Sequence, residues 1–254
     1  MDTESFMLEK EITILSTYCD ASSRLGLSQC FALLQDCMTE YFGMLACDGV
    51  RLKPVYGCAW IITRTVLEIY TLPDWNTSVR CKTALTHRTR LIVELDTTVS
   101  TLQGKVLLRG KQELCLLNLQ TRRPVPNDFL PQLAGALVEQ ERWNTRFARL
   151  SMPADAFLIP DLEQTVYPQD TDMNGHCNNV SYMRMLLNGV STSRVCAMDP
   201  CRMDVSFVNE CREGSHLRVF SGKEEGALLL ELRCREQDAC AERQIALCQI
   251  CPLV

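Results

Sequence analysis

A polar turn that runs into an amphipathic helix and then into a series of strands occurs twice in this 254-residue chain. That internal repeat restricts the possible folds more than any other feature. In the first copy a short β-branched strand, Glu11 to Cys19, meets the turn Asp20-Ala-Ser-Ser-Arg24. The spacing of Phe31, Leu34, Met38 and Tyr41 then predicts a helix from about Ser28, with Ser28 as its N-cap. From Tyr56 onward the segments CAWIITRTVLEIY, SVRCKTALTH, TRLIVELDTTV, GKVLLRG and ELCLLNLQT read as strands, broken by turn residues such as Pro73-Asp74 and Gly104. The second copy has a strand from Glu163 to Tyr167, the turn Gln169-Asp-Thr-Asp-Met-Asn-Gly-His176, and a helix with Val180, Met183 and Leu187 on one face. The strands DVSFVNEC, SHLRVFSG, ALLLELRCRE and QIALCQICPLV follow. An offset of 152 residues places Asp20 on Asp172, Ser22 on Asn174 and Arg24 on His176. One helix lying across an antiparallel sheet, repeated in tandem, is an α+β architecture.

The repeat divides the chain into a first unit at 1–125, a connector at 126–160 and a second unit at 161–254. Pro124 and Pro126 flank the start of the connector, and its middle, LPQLAGALVEQERWNTRFARL, has helical spacing with Arg142, Arg146 and Arg149 on a polar side. A solvated linker helix is the expectation.

Composition limits the function. With 26 basic against 31 acidic residues the net charge is −5, which argues against a general nucleic-acid binder. The 15 cysteines are odd in number and scattered, so a reducing compartment fits better than a disulfide framework. No apolar run approaches the roughly 18 residues of a membrane span, and MDTESFMLEK lacks a basic-then-apolar leader, so a cytoplasmic protein is expected. Cys248 and Cys251 form an isolated pair without the further ligands of a zinc site, and His87 and His216 have no acid-base motif beside them. Neither a phosphate loop nor a GxSxG elbow is present, and no cofactor or metal is expected.

The groups able to do chemistry concentrate in Asp170-Thr-Asp172-Met-Asn174-Gly-His176-Cys-Asn178-Asn179. Alternating Asp, Asn and His in a turning backbone project to one side. The helix that follows brings unpaired N–H groups and a positive dipole end to the same place, where a developing oxyanion is stabilised. The plainer reading of the same residues is a turn whose Asp and Asn cap a helix and whose Asn174-Gly175 supplies the bend.

The segment DTDMNGHCNNVSYMRMLL resembles the second half of the acyl-ACP thioesterases, double hotdog enzymes that release acyl chains from acyl carrier protein. AWIITRTVLEIYTLPDW, LLNLQTRRPVP and FVNECREGSHL resemble three further motifs of that family, in the family's order. The resemblance covers nearly the whole chain. It implies a tandem hotdog fold and hydrolysis of fatty acyl-ACP thioesters without a cofactor. It also implies a site of Asp172, Asn174 and His176 facing a Glu210-Cys211 pair on an opposing strand. Ser22 and Arg24 stand where the second repeat has Asn and His, so one site per chain is implied, with the first half forming the acyl pocket. Cys177 stands where the family usually has Val, and the bacterial branch is the nearer match. The partner implied is acyl carrier protein, docked on a basic patch for which Arg142, Arg146, Arg149, Arg184, Arg194 and Arg212 are candidates; the chain is either a monomeric pseudo-dimer or a homodimer. An acyl-CoA thioesterase and a non-catalytic acyl-binding hotdog protein are the alternatives. Glu210 is the expected general base. Cys211 is the less favoured nucleophile, because adjacent strand residues face opposite sides and an apolar strand raises a thiol's pKa.

Overall fold

The computed structural model describes residues 6–153, 156, 159–235 and 242–253. In the first half, strand β1 (Met7–Thr13) leads through the Asp20 turn into helix α1 (Leu27–Met44) and a short helix α2 (Gly49–Tyr56). Strands β2 (Cys58–Ile69), β3 (Ser78–Arg88), β4 (Ile92–Thr101) and β5 (Val106–Asn118) follow, and a two-residue strand β6 (Pro124–Val125) pairs with β5. A one-turn helix α3 (Pro131–Gly135) lies in the connector. In the second half come β7 (Leu162–Thr165), α4 (Asn179–Asn188), α5 (Thr192–Cys196), β8 (Cys201–Phe207), β9 (His216–Glu224), β10 (Ala227–Arg235) and β11 (Glu242–Pro252).

All of these strands form one antiparallel sheet in the order β1-β3-β4-β5-β2-β8-β11-β10-β9-β7, with β6 beside β5. The halves meet at the centre, where β2 pairs with β8 from Arg64 opposite Ser206 to Ile69 opposite Cys201. The sheet is therefore continuous across the repeat. Helices α1 and α4 pack on its inner face and against each other. α1 buries Leu27, Phe31, Leu34, Met38, Tyr41 and Phe42, the spacing of an apolar stripe pressed onto a sheet. Its approach is close: a Cβ added at Gly110 of β5 would stand 2.5 Å from Leu34 Cδ1.

Several details depart from the sequence reading. The first strand is Met7–Thr13, earlier than expected, and residues 16–18 form a 3₁₀ turn. α1 is capped by Gly26, whose carbonyl accepts from Cys30, while Ser28 turns its hydroxyl to Gln29. GKVLLRG and ELCLLNLQT join in the single strand β5, and the short helices α2 and α5 carried no strong periodic signal.

The long linker helix is absent. Beyond α3 and a 3₁₀ turn at Glu139–Glu141, residues 142–153 run without helix along the outer face of the sheet, opposite the helices. Sheet side chains capture its backbone: Asp96 Oδ2 accepts the Trp143 N–H at 2.8 Å, Asp204 Oδ1 accepts the Ala148 N–H at 2.9 Å, and Arg202 donates to the Arg146 carbonyl at 2.6 Å. Arg64 stacks over the Phe147 ring at 4.6 Å. These tertiary partners outweigh a helix propensity worth a few tenths of a kcal/mol per residue.

Candidate active site

The turn ahead of α4 is built around two carboxylates. Asp170, 4% exposed, accepts the Tyr167 N–H at 2.8 Å, pairs with Arg184, and through its carbonyl accepts the Asn178 N–H. Asp172 Oδ1 accepts the N–H groups of Asn174 (2.8 Å) and His176 (3.3 Å), and its own N–H donates to the His176 carbonyl. Gly175 sits at φ 74°, a conformation that glycine adopts freely. Asp172 therefore fixes the turn, and its side chain is occupied in doing so.

Asn174 and His176 project from that turn into a cavity of about 1090 Å³. The His176 ring is 14% exposed, and its Nε2 lies 3.3 Å from Glu210 Oε1, off the line of a full hydrogen bond. The Asn174 amide oxygen meets Lys53 Nζ of α2 at 3.4 Å, a contact that crosses from one half to the other. Asp172, Asn174, His176 and Glu210 all line the cavity.

Glu210 and Cys211 do not stand on a strand, contrary to the expectation. β8 ends at Phe207, and the pair lies in the loop leading to β9. There the Val208 and Asn209 N–H groups reach the Ile245 carbonyl, and the Cys211 carbonyl accepts the Cys177 N–H at 2.8 Å. The two side chains still diverge. Glu210, 37% exposed, faces the turn, while Cys211 is 3% exposed and points into the core. The Tyr182 hydroxyl accepts the Cys211 N–H at 2.8 Å and lies 3.2 Å from its Sγ. Burial holds the Tyr182 phenol well above its ordinary range, so it keeps its proton and can donate to that sulfur. Cys211 and Cys177 form one coupled pair. Their mutual hydrogen bond and the Tyr182 contact lower the Cys211 thiol, whereas Cys177 is raised by the same bond and by burial. Burial raises the Cys211 thiol as expected, and the hydrogen bonds from Cys177 and Tyr182 oppose it.

Most N–H groups at the start of α4 already have partners. The N–H groups of Cys177 and Asn178 are taken by carbonyls, and that of Val180 by the Asn178 side chain, which caps α4. These caps leave the N–H groups of Asn179 and Ser181 in the first turn, and of the two residues Asn179 lies on the cavity wall.

The rest of the wall comes from the first half. Met38, Thr39 and Phe42 of α1, Ala59, Trp60 and Ile62 of β2 and Leu117 of β5 line the cavity. Phe42 and Trp60 stack face to face, centroids 4.6 Å apart, and Trp60 Nε1 donates to the Cys47 carbonyl. At about 1090 Å³ the cavity lies just above the range of roughly 300–1,000 Å³ typical of small-molecule sites. Arg122, at the end of the turn after β5, reaches across to pair with Glu210. Sequence reasoning did not single out Arg122, Lys53 or Tyr182, although Arg122 lies within LLNLQTRRPVP and Tyr182 within DTDMNGHCNNVSYMRMLL.

The first-half turn superposes in hydrogen bonding and not in chemistry. Asp20 Oδ1 accepts the Ser22 N–H at 2.8 Å, and Asp20 N–H donates to the Arg24 carbonyl. Arg24, however, is locked to Asp199 at 2.7 Å and to the Cys196 carbonyl at 3.0 Å. The Leu25 N–H donates to the Pro73 carbonyl as the Cys177 N–H does to that of Cys211, so Leu72 holds the place of Glu210.

Of the candidate docking arginines, none lines the cavity. Arg142 pairs with Glu94 and the connector carrying Arg146 lies on the opposite sheet face, while Arg184 is bound to Asp170. Among the described residues no helix is long and apolar enough to cross a membrane, and no cluster of three His, Cys, Asp or Glu side chains is placed to hold a metal ion.

Residues 6–132 match the acyl-ACP thioesterase N-terminal domain and residues 160–246 the acyl-ACP thioesterase C-terminal domain. The fold is similar to that of an acyl-ACP thioesterase from Bacteroides thetaiotaomicron, with a TM-score of 0.85, 16% identity and 99% of each chain covered. It is likewise similar to the 12:0-ACP thioesterase from Umbellularia californica, with a TM-score of 0.81, 16% identity, and 97% and 96% of the two chains covered. A chloroplastic acyl-[acyl-carrier-protein] hydrolase of Cuphea viscosissima is 23% identical over 167 residues, which are 62% of this chain and 39% of the relative. The chloroplastic oleoyl-acyl carrier protein thioesterase 1 of Arabidopsis thaliana is 25% identical over 167 residues, 61% of this chain and 45% of the relative. The matched region thus spans less than half the length of these curated plant relatives.

Proposed function

Because the chain belongs to the acyl-ACP thioesterase family, we propose that it hydrolyses fatty acyl thioesters of acyl carrier protein to a free fatty acid and the carrier thiol. The observation that carries this reading is the convergence of His176, Glu210 and Asn174 on the wall of a cavity whose inner part is aromatic and aliphatic. An acyl chain suits the inner part, and a reacting carbonyl suits the polar mouth.

In this reading a thioester carbonyl sits over the turn, and a water molecule attacks it with Glu210 taking the water's proton. The carbonyl oxygen, becoming negative, meets the Asn174 amide and the N–H of Asn179 at the positive end of α4. The C–S bond then breaks, and His176, beside Glu210, passes the proton that Glu210 took on to the departing sulfur. Asp172 holds the turn in shape throughout. The unit at 1–125 supplies the acyl pocket, the unit at 161–254 supplies the reacting groups, and the connector at 126–160 straps them together. The reading also takes the chain to act in the cytoplasm, as a monomeric pseudo-dimer or a homodimer.

Incubation of the purified chain with acyl-ACP and with acyl-CoA, followed by assay of free thiol and fatty acid, tests this. Faster turnover of acyl-ACP supports it. Equal or faster turnover of acyl-CoA, insensitive to salt, favours a CoA thioesterase, and tight acyl binding without release leaves only an acyl-binding protein.

A further inference from the structure

We infer that Arg122, supplied by the first half, is a positioning residue that fixes the Glu210 carboxylate for its work in the second half; this rests on the reading of Glu210 as general base. The turn after β5 is built to deliver this side chain. Asn118 Oδ1 accepts the N–H groups of Gln120 (3.1 Å) and Thr121 (2.8 Å) and the Thr121 hydroxyl (3.1 Å). The Asn118 carbonyl accepts the Arg122 N–H at 2.9 Å, and the Asn118 N–H closes the loop on the Arg123 carbonyl at 3.0 Å. Arg122 is thereby held at φ 57°, a left-handed conformation that a residue with a side chain rarely adopts. In that conformation its guanidinium reaches a carboxylate 88 residues further along the chain, on the other half of the molecule.

Glu210 needs such a partner. It stands in a loop, its side chain is 37% exposed, and the same oxygen that Arg122 binds lies 3.3 Å from His176 Nε2. An exposed carboxylate on a loop samples several rotamers; a charge-assisted bond selects one. The rotamer selected here keeps one oxygen between Arg122 and His176 and leaves the other for a water molecule. Misplacement of a catalytic group by about 1 Å can cost as much as 10²-fold in rate.

The test uses the full chain with Arg122→Gly, Arg122→Gln and Arg122→Lys, each alone and combined with Glu210→Gln. Gly suits a left-handed residue, so Arg122→Gly removes the side chain while easing the backbone, and its thermal midpoint reports that folding is intact. Both acyl-ACP and an acyl-N-acetylcysteamine thioester, which lacks carrier and phosphate, serve as substrates. Arg122→Gly and Arg122→Gln are expected to lower kcat about tenfold or more on both substrates with KM within about threefold, with Arg122→Lys recovering part of the loss. In the Glu210→Gln background the Arg122 substitutions should add little further loss, since both act through one carboxylate. A rise in KM confined to acyl-ACP, with kcat and small-thioester turnover unchanged, would overturn the inference and make Arg122 a docking residue. Full additivity with Glu210→Gln would overturn it as well. Undiminished activity of Glu210→Gln alone defeats the general-base reading instead, and is recognised without any Arg122 variant.

Discussion

Ser23 and Gly175 occupy the same position of two turns 152 residues apart, and both are left-handed, at φ 59° and φ 74°. Around them the backbone hydrogen bonds of the turn recur: Ser23 donates to the Asp20 carbonyl as Gly175 does to that of Asp172, and Cys19 bridges Leu25 as Thr171 bridges Cys177. The same backbone frame holds two different sets of side chains. In one it aims a histidine at a glutamate, and in the other an arginine at Asp199.

The first turn should therefore be structural. Arg24→His is expected to leave kcat per chain unchanged, because Leu72, which has no carboxylate, stands in the place that Glu210 holds in the second half. It should lower stability by about 1–3 kcal/mol: Asp199, 7% exposed, loses its cation, although Arg24 itself is 27% exposed and partly screened. Urea denaturation and steady-state rates check both halves of this prediction, and a gain of activity would count against it.

Glu210→Gln should reduce kcat by about 10² or more, the usual scale for loss of general-base catalysis. Cys211→Ala should retain substantial activity, since Sγ faces Tyr182 and the core. An inactive Cys211→Ala together with an acyl adduct on Cys211 in mass spectra would establish covalent catalysis in its place.

Tyr182→Phe removes the acceptor of the buried Cys211 N–H. A buried N–H left without a partner costs about 1–3 kcal/mol, and the Glu210 loop should loosen with it. A lower thermal midpoint and a reduced kcat are expected in the same variant; a variant as stable as the parent would show that the bond is replaced.

The stacked Phe42 and Trp60 should limit how deep an acyl chain can reach. Phe42→Ala is expected to shift the released fatty acids toward longer chains more than it changes the total rate. Gas chromatography of the products decides this, and an unchanged profile would place the acyl tail elsewhere.

Burial holds the Asp96 carboxyl above its ordinary value of 3.8, with Lys111 opposing. A carboxyl raised in the folded state binds its proton more tightly there than in the unfolded chain. Its contribution to stability is therefore greatest in acid and declines as pH rises from about the unfolded value through the folded one. Asp96→Asn should remove that decline, whatever its effect on absolute stability, which Lys111 and the Trp143 N–H also influence. Parallel stability-versus-pH curves for parent and variant would refute the assignment.

Much of the fold was legible because it rests on local pattern. The periodicity of Phe31, Leu34, Met38 and Tyr41 marks a helix on a sheet, and the spacing of Asp172, Asn174 and His176 marks a turn whose carboxylate ties down the following N–H groups. Pairings between distant segments were a different matter. That β2 meets β8, that the connector gives up its helix to Asp96 and Asp204, and that Glu210 lies in a loop between Arg122 and His176 are set by contacts over 34 to 142 residues of sequence. Local sequence determines which backbone shapes are cheap and which side chains share a face. Which carboxylate then meets which cation depends on how the two halves close on one another, because the energy of those contacts exists only once the sheet has joined.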